Sequence, residues 1–501
     1  MEKNSVVIVG SGLGGLLCGY ILSKEGYDIT ILEKNHQMGG CLQTFVRNKC
    51  IFDTGMHYIG SMEDGQALNY LFRYFGLTQK LNLKRMDLNA FDVIDIAGEK
   101  YNYAQGFDRF ADTITSYFPS EKEAINKYTN KLQEIGLSLT NLLAGKAKPG
   151  STGMASFEHF YENTHQYITS LTNNYKLQNV LAALNPLYAG HPNSAPLYLH
   201  GIINYSLIES SWRMVDGGSQ ISDILAEGIT NNGGKIMLNS EVKEFSANEK
   251  GEISHVLLAN GELIEAKYFI SNINPEKTIE LTGSNLHRNV YKKRISSIEQ
   301  TISIFSLYIV FKQNEFKYMN YNSYYYNSEN VWGVETYSPS NWPDGFMLYT
   351  PAVSSSDVYA ESMIAITYMK YDELLKWENT TVEKRGDEYK KMKEQKANQL
   401  LEKIEKQYPG IKSKIKAYYT STPLTYRDYT GTINGSVYGI MKDCNNPLKT
   451  FILPKTKVPN LLMTGQNINL HGVMGVTIGS LLTCGELIGF DFLLKKIRES
   501  S

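Results

Sequence analysis

Cysteine is scarce: Cys18, Cys41, Cys50, Cys444 and Cys484 are all there are in 501 residues, and no two form a CxxC pair. An odd number spread so widely does not make a disulfide framework, so a reducing cytoplasm is the expected compartment. Charge of one sign is also lacking, with 50 Lys plus Arg against 51 Asp plus Glu and a net charge of −1. That removes the basic field a nucleic-acid binder carries. Long apolar runs are missing too. The best stretch, GVMGVTIGSLLTCGELIG at 472–489, is rich in glycine and carries Glu486, so a membrane-spanning helix is not expected, although peripheral contact with a membrane stays open. The early VVIVG run lacks a basic flank and a cleavage site, and no signal peptide is expected. Repeats, low-complexity tracts and Cys/His patterns with metal-ligand spacing are absent, so no metal is expected.

Hydrophobic residues make up 42% and charged residues 20%, the balance of a chain that buries large cores. At roughly 150 residues per domain, the length excludes a single small module.

Ser5 to Val9 is a short β-branched run of the kind buried in parallel sheets, and it leads into Gly10-Ser11-Gly12-Leu13-Gly14-Gly15. A mostly apolar helical stretch to Lys24, a stop at Gly26 and a second strand from Asp28 to Leu32 complete a βαβ unit ending at Glu33-Lys34. Gly10 gives the tight turn, Gly12 lets backbone approach a pyrophosphate, and Gly15 lets helix and strand pack closely. The helix N-terminus then faces the anion. Glu33 stands where an acid bonds a free ribose 2′-hydroxyl, which fits FAD or NAD.

Six residues beyond Glu33 comes Gly39-Gly40, followed by Cys41-Leu42-Gln43-Thr44-Phe45. This resembles the second flavin-contact motif of amine-oxidase and phytoene-desaturase-like flavoproteins, so the resemblance implies FAD. FDTGMHYIG at 52–60 narrows it to the retinol-saturase-like branch, which belongs with carotenoid isomerases and phytoene desaturases. The closing segment agrees: Asn460 to Asn467 contains Gly465-Gln466-Asn467, and His471 leads into Gly472-Val473-Met474-Gly475. It resembles the group's last flavin motif with Asn467 in place of the usual Asp, and a helix is expected from near Gly475. VDGGSQ at 215–220, the segment ending at Val242, and YFISNINP at 268–275 resemble the group's central elements, in which Val242 meets the adenine.

The resemblance touches both ends and the centre, about half the chain. It implies an α/β fold: a Rossmann-type FAD domain of glutathione-reductase/amine-oxidase kind from residues 1–95, 205–280 and 420–501, with an α+β substrate domain from 96–204 and 281–419. The function it implies is saturation of a carbon–carbon double bond in an apolar polyene or isoprenoid, with NAD(P)H or a redox protein as donor. The alternatives are a carotenoid desaturase or isomerase, and a flavin- or lipid-binding protein without turnover. Only one dinucleotide motif is present, which argues against a dedicated pyridine-nucleotide domain.

Because a flavin performs the redox step itself, the protein has to position the bond, exclude water and handle a proton. His57 and Tyr58 are the first candidates for that proton, with a structural hydrogen bond as the alternative for each. His200, in APLYLH at 195–200, is the third, with a core histidine as its alternative. Glu121 to Leu143 carries apolar residues at helical spacing and reads as an amphipathic helix, packed on its own domain or facing a membrane or lipid. The charged run within 381–408 reads as a solvated helix. Tyr318, Tyr321, Tyr324, Tyr325 and Tyr326 read either as a tunnel lining or as a wet sheet edge.

Overall fold

The computed structural model describes residues 4–147, 157–283 and 286–500. Its first sheet has five parallel strands in the order Lys235–Met237, Asp28–Leu32, Ser5–Val9, Tyr268–Ser271 and Leu461–Met463. Ser5–Val9 lies in the middle, so Ile8 sits between Ile31 and Ile270. Such a position needs apolar residues on both faces, and Val6, Val7 and Ile8 are at most 1% exposed. Three distant parts of the chain therefore build one sheet, and the Rossmann-type α/β reading holds.

The glycine loop enters the helix Leu13–Lys24, which is buried along nearly its whole length. It packs against Gly472–Ile488 and Ser219–Asn231, and small residues permit the approach. The helix expected from near Gly475 begins at Gly472 and is followed by a last helix, Phe490–Glu499.

The second large sheet has seven strands in the order Ile415–Ser421, Ser303–Phe311, Ser362–Met369, Gly345–Tyr349, Asn322–Tyr326, Asp92–Ile96 and Glu99–Tyr103. All neighbours are antiparallel except Asn322–Tyr326 with Asp92–Ile96. The expected domain borders at 95/96 and 419/420 fall inside two of these strands. Asn322–Tyr326 is an interior strand with every residue buried, so its three tyrosines are not on a wet edge.

Lys122–Leu143 forms the expected amphipathic helix, with Ile125, Tyr128, Leu132 and Ile135 buried. Its apolar side meets the helix Leu197–Glu209, and Gly136 gives way to the ring of Tyr205. The charged helix spans Gly386–Gln407 and buries only one side, including Leu400 and Ile404. No single described helix is long and apolar enough to cross a membrane.

Candidate active site

The turn after the first strand needs Gly10 at φ +96°, and its amide bonds the carbonyl of Leu32 at 2.8 Å. A Cβ on Gly15 would stand 2.1 Å from the Gly10 oxygen. A Cβ on Gly14 would lie 3.0 Å from the Gly465 backbone, and one on Gly465 would come 2.5 Å from Asn272 Oδ1. Asn272 locks the loop, its Nδ2 donating to the carbonyls of Gly10 at 3.2 Å and Gly12 at 3.3 Å. No side chain caps Leu13–Lys24, so its first amides are left for an anion.

Glu33 is buried, and its Oε2 accepts from Ser11 N at 3.0 Å and Ser11 Oγ at 2.6 Å, while Oε1 accepts from Asn35 N at 2.9 Å. The acid is thereby held against the phosphate-binding turn. The Gly39 amide bonds Ser11 O at 3.1 Å, and a Cβ on Gly40 would stand 3.1 Å from Gly12 Cα. The two N-terminal motifs thus form one cradle of bare backbone. Gly217 and Gly218 serve a neighbouring contact: Gly218 N donates to Asp53 Oδ1 at 2.8 Å.

From the far end of the chain, Gly465 turns with φ +98°, and Asn467 Oδ1 accepts from Ile440 N at 3.1 Å. The amide that replaces the usual acid therefore serves the backbone. His471 Nε2 stands 3.0 Å from Leu187 O, and its ring lies 4.2 Å from that of Tyr438. Desolvation holds this imidazole down at about 4, with the Leu187 carbonyl opposing and Lys442 assisting, so it is neutral and donates to the carbonyl. The helix Gly472–Ile488 starts beside it with no side-chain cap.

These segments meet in a cavity of about 380 Å³. Gly12, Leu13, Gly14, Gly39, Gly40 and Cys41 form one wall, with Gly465, Gln466, Asn467, Gly472, Val473 and Met474 beside them. The same lining includes an apolar and aromatic set, Leu187, Ile202, Ile203, Phe346, Tyr326 and Tyr368. Gly10, Ser11, Gly15 and Glu33 stand behind the first wall. Lys34 is exposed and donates to Asp428 O at 2.9 Å, and Val242 is buried at the start of Val242–Ala247; neither lines the cavity.

His57 and Tyr58 both face the cavity. His57 stacks 4.5 Å from Tyr58 and 5.2 Å from Tyr349, and its buried Nε2 has no hydrogen-bond partner. Desolvation, then the charge of Arg213, lowers it to about 3, so at neutral pH it is an uncharged imidazole without an imidazolium proton to give. Tyr58 Oη lies 3.1 Å from both Asp92 Oδ2 and Tyr324 Oη. His200 does not reach the cavity. It is fully buried between Tyr128 at 2.8 Å, Tyr188 at 3.0 Å and Asn204 at 3.2 Å, and desolvation lowers it to about 3. Among the described residues no group of three His, Cys, Asp or Glu could hold a metal.

Sequence reasoning missed Asn272, Asp92, Asn322 and Arg213, whereas Tyr324 belongs to the tyrosine cluster expected as a tunnel lining or a wet edge. Asn272 sat inside a recognised segment, but nothing in its spacing told that its side chain turns back to the glycine loop.

Residues 8–75 match the family model of the NAD(P)-binding Rossmann-like domain. The chain is 26% identical to the all-trans-retinol 13,14-reductase of Danio rerio, over 97% of this chain and 86% of that protein. It is 24% identical to prolycopene isomerase 1, chloroplastic, of an Oncidium hybrid cultivar, over 99% and 85%. In fold it matches putrescine oxidase with a TM-score of 0.65 at 14% identity, covering 98% of this chain and 99% of that one. Over nearly its whole length the chain is therefore a homologue of all-trans-retinol 13,14-reductases and prolycopene isomerases, built on the fold of an amine oxidase.

Proposed function

We propose that the chain is an FAD-dependent oxidoreductase that reduces a carbon–carbon double bond of an apolar polyene or isoprenoid, such as a retinoid or carotenoid. One observation carries the reading: the glycine cradle and the aromatic wall belong to the same cavity. The bare backbone of the cradle would hold a dinucleotide, and the apolar and aromatic side chains of the same cavity would take an elongated apolar substrate. The cradle suits FAD because the absence of a Cβ at Gly14, Gly40 and Gly465 lets the loops close on one another as bare backbone, and because Glu33 already stands beside the turn.

When bound, FAD supplies hydride chemistry. The chain's own residues do the rest. The amides after Gly12 hold the diphosphate, and Glu33 holds the ribose end. Gly465 to Met474 presents backbone and a helix N-terminus to the cofactor, which favours electron-rich forms of the ring. Leu187, Ile202 and Phe346 exclude water. Tyr58 presents a hydroxyl, and His57, uncharged, fills the wall beside it. In this reading the FAD unit comprises 1–95, 205–280 and 420–501, and the substrate unit 96–204 and 281–419. The electron donor is NAD(P)H at a transient site or a separate redox protein.

A second reading, isomerisation of a carotenoid, is favoured by the match to prolycopene isomerase over 99% of the chain. Mass analysis of the polyene after incubation with the flavin-loaded, reduced protein separates the two. A gain of two hydrogens supports reduction, unchanged mass with altered geometry supports isomerisation, and recovery of untouched polyene defeats both.

A further inference from the structure

Behind the cavity wall runs a buried polar string that the nucleotide cradle does not use. Asp92, fully buried, has Oδ2 at 3.1 Å from Tyr58 Oη and accepts at Oδ1 from Asn322 Nδ2 at 2.8 Å. Asn322 Oδ1 accepts from Arg213 Nη2 at 3.1 Å. Tyr58 and Tyr324, hydroxyls 3.1 Å apart, both face the cavity. Asp92, Asn322 and Arg213 lie behind them, outside its lining.

Arg213 is 1% exposed, its Nε and Nη1 have no hydrogen-bond partner, and it makes no ion pair among the described residues. Burying such a cation costs several kcal/mol; the Tyr349 ring 5.2 Å away and the buried Asp53 carboxyl offset part of that, and Asp92 reaches it only through the Asn322 amide. What the arrangement does offer is an acid that is comfortable with or without its proton. Burial drives Asp92 up to about 7, while Asn322, Tyr58 and Arg213 pull the other way. The other titratable groups that feel it are Tyr103, Tyr324 and Tyr326, whose phenols are all pushed upward and stay protonated.

We propose that Asp92 is the proton store of the cavity, passing its proton through Tyr58 to the substrate while Asn322 and Arg213 hold the carboxylate left behind. This rests on the reduction reading. A bound reduced flavin would supply hydride to one carbon of the double bond, and the other carbon would take the proton of Tyr58 Oη. The phenolic O–H breaks as the Asp92 proton moves onto Tyr58. Tyr58 is regenerated, Asp92 ends as a carboxylate, and water returns its proton between turnovers. A protonated Asp92 donates to Tyr58 Oη, which leaves the Tyr58 hydrogen free for the cavity. Tyr58 is the catalytic residue here and Asp92 the positioning residue. His57, although adjacent, is held neutral and cannot replace it.

The test has one readout that needs neither flavin nor substrate. Infrared spectra of the flavin-free protein across the neutral pH range should show a protonated-carboxyl band that disappears as pH rises. Asp53 and Glu335, also raised by burial, to about 6 and about 7, contribute their own bands, so the assignment comes from the difference with Asp92→Asn. Tyr58→Phe should shift the same band, because the carboxyl loses that partner. It also decides the matter if Asp92→Asn does not fold. A spectrum unaltered by either variant overturns the proposal. In the flavin-loaded enzyme, Asp92→Asn should lower kcat about a hundredfold with KM within twofold, and flatten the neutral limb of the pH profile. A wild-type pH profile in that variant overturns it too. If no form of the protein reduces a polyene, the reduction reading fails by itself, whereas the infrared titration still decides whether Asp92 carries the proton.

Discussion

Replacing Gly15 by alanine places a methyl carbon 2.1 Å from the Gly10 carbonyl oxygen, where ordinary contact begins at 3.4 Å. Both partners are backbone, so no rotamer change relieves the clash. Either the helix Leu13–Lys24 moves off the sheet or the glycine turn opens. Overpacking of this kind costs about 1–3 kcal/mol, and at roughly 1.4 kcal/mol per tenfold change that is about a 5- to 150-fold loss of cofactor affinity if the turn takes the strain. The control is Gly19→Ala on the same helix. There the new methyl group meets Ile31 Cδ1 at 2.8 Å and Ile229 Cδ1 at 3.2 Å, the ends of side chains that can rotate. The assay is flavin absorbance per protein after gel filtration, with thermal melting of both variants alongside. Gly15→Ala should purify depleted of flavin, and Gly19→Ala should retain it. Full flavin occupancy with an unchanged melting temperature in Gly15→Ala would refute the reasoning, because the turn would then not be where the cofactor sits.

Glu33→Gln should cost about one to two decades of flavin affinity, because the carboxylate accepts from Ser11 and Asn35 and an amide nitrogen cannot; fluorescence titration reads it. His200→Phe should lower stability by about 1–3 kcal/mol in urea melts, because Tyr188 loses its partner while Tyr128 keeps only the Leu181 carbonyl and Asn204 only the carbonyl of residue 200, and flavin binding is unaffected. His200 also sets a pH signature. Its pKa is about 3 folded against 6.5 unfolded, so the unfolded chain binds the extra proton. Its contribution to stability is full above about 6.5 and falls by about 1.4 kcal/mol per pH unit toward 3. The slope of stability against pH should therefore be shallower by that amount in His200→Phe. Ile203→Trp, filling the cavity from its apolar wall, should raise KM for a long polyene several-fold with flavin content unchanged; steady-state kinetics at several chain lengths would show it.

The nucleotide cradle was legible in the sequence because its demands fall on backbone. Gly10, Gly15 and Gly465 are fixed by positive φ or by a missing Cβ, and such demands leave glycines at readable spacings. The amphipathic helix was legible from its period, which places Ile125, Tyr128, Leu132 and Ile135 on the buried side. The proton string was not. Asp92, Arg213 and Asn322 lie on three strands remote in sequence, and in Asp92–Ile96 an acid at the first position looks like any strand end. The parallel pairing sets Asn322 beside Asp92, and Arg213 reaches Asn322 from a strand of another sheet. The tyrosine cluster had the same ambiguity, since three consecutive tyrosines alternate between faces, and it took the neighbouring strands to show that both faces are covered. His200 illustrates the converse: a histidine in a suggestive run whose two nitrogens are both taken up by buried hydroxyl and amide groups.

The central claim is that one cavity holds both a flavin and an apolar polyene. Its most direct test is an anaerobic absorbance titration: the purified protein is checked for bound FAD, reduced with dithionite freed of excess, and offered retinol or a carotenoid. Flavin reoxidation in step with the loss of one conjugated double bond is the predicted result. Reduced flavin that stays reduced beside an unchanged polyene spectrum, or protein that binds no flavin at all, would contradict it.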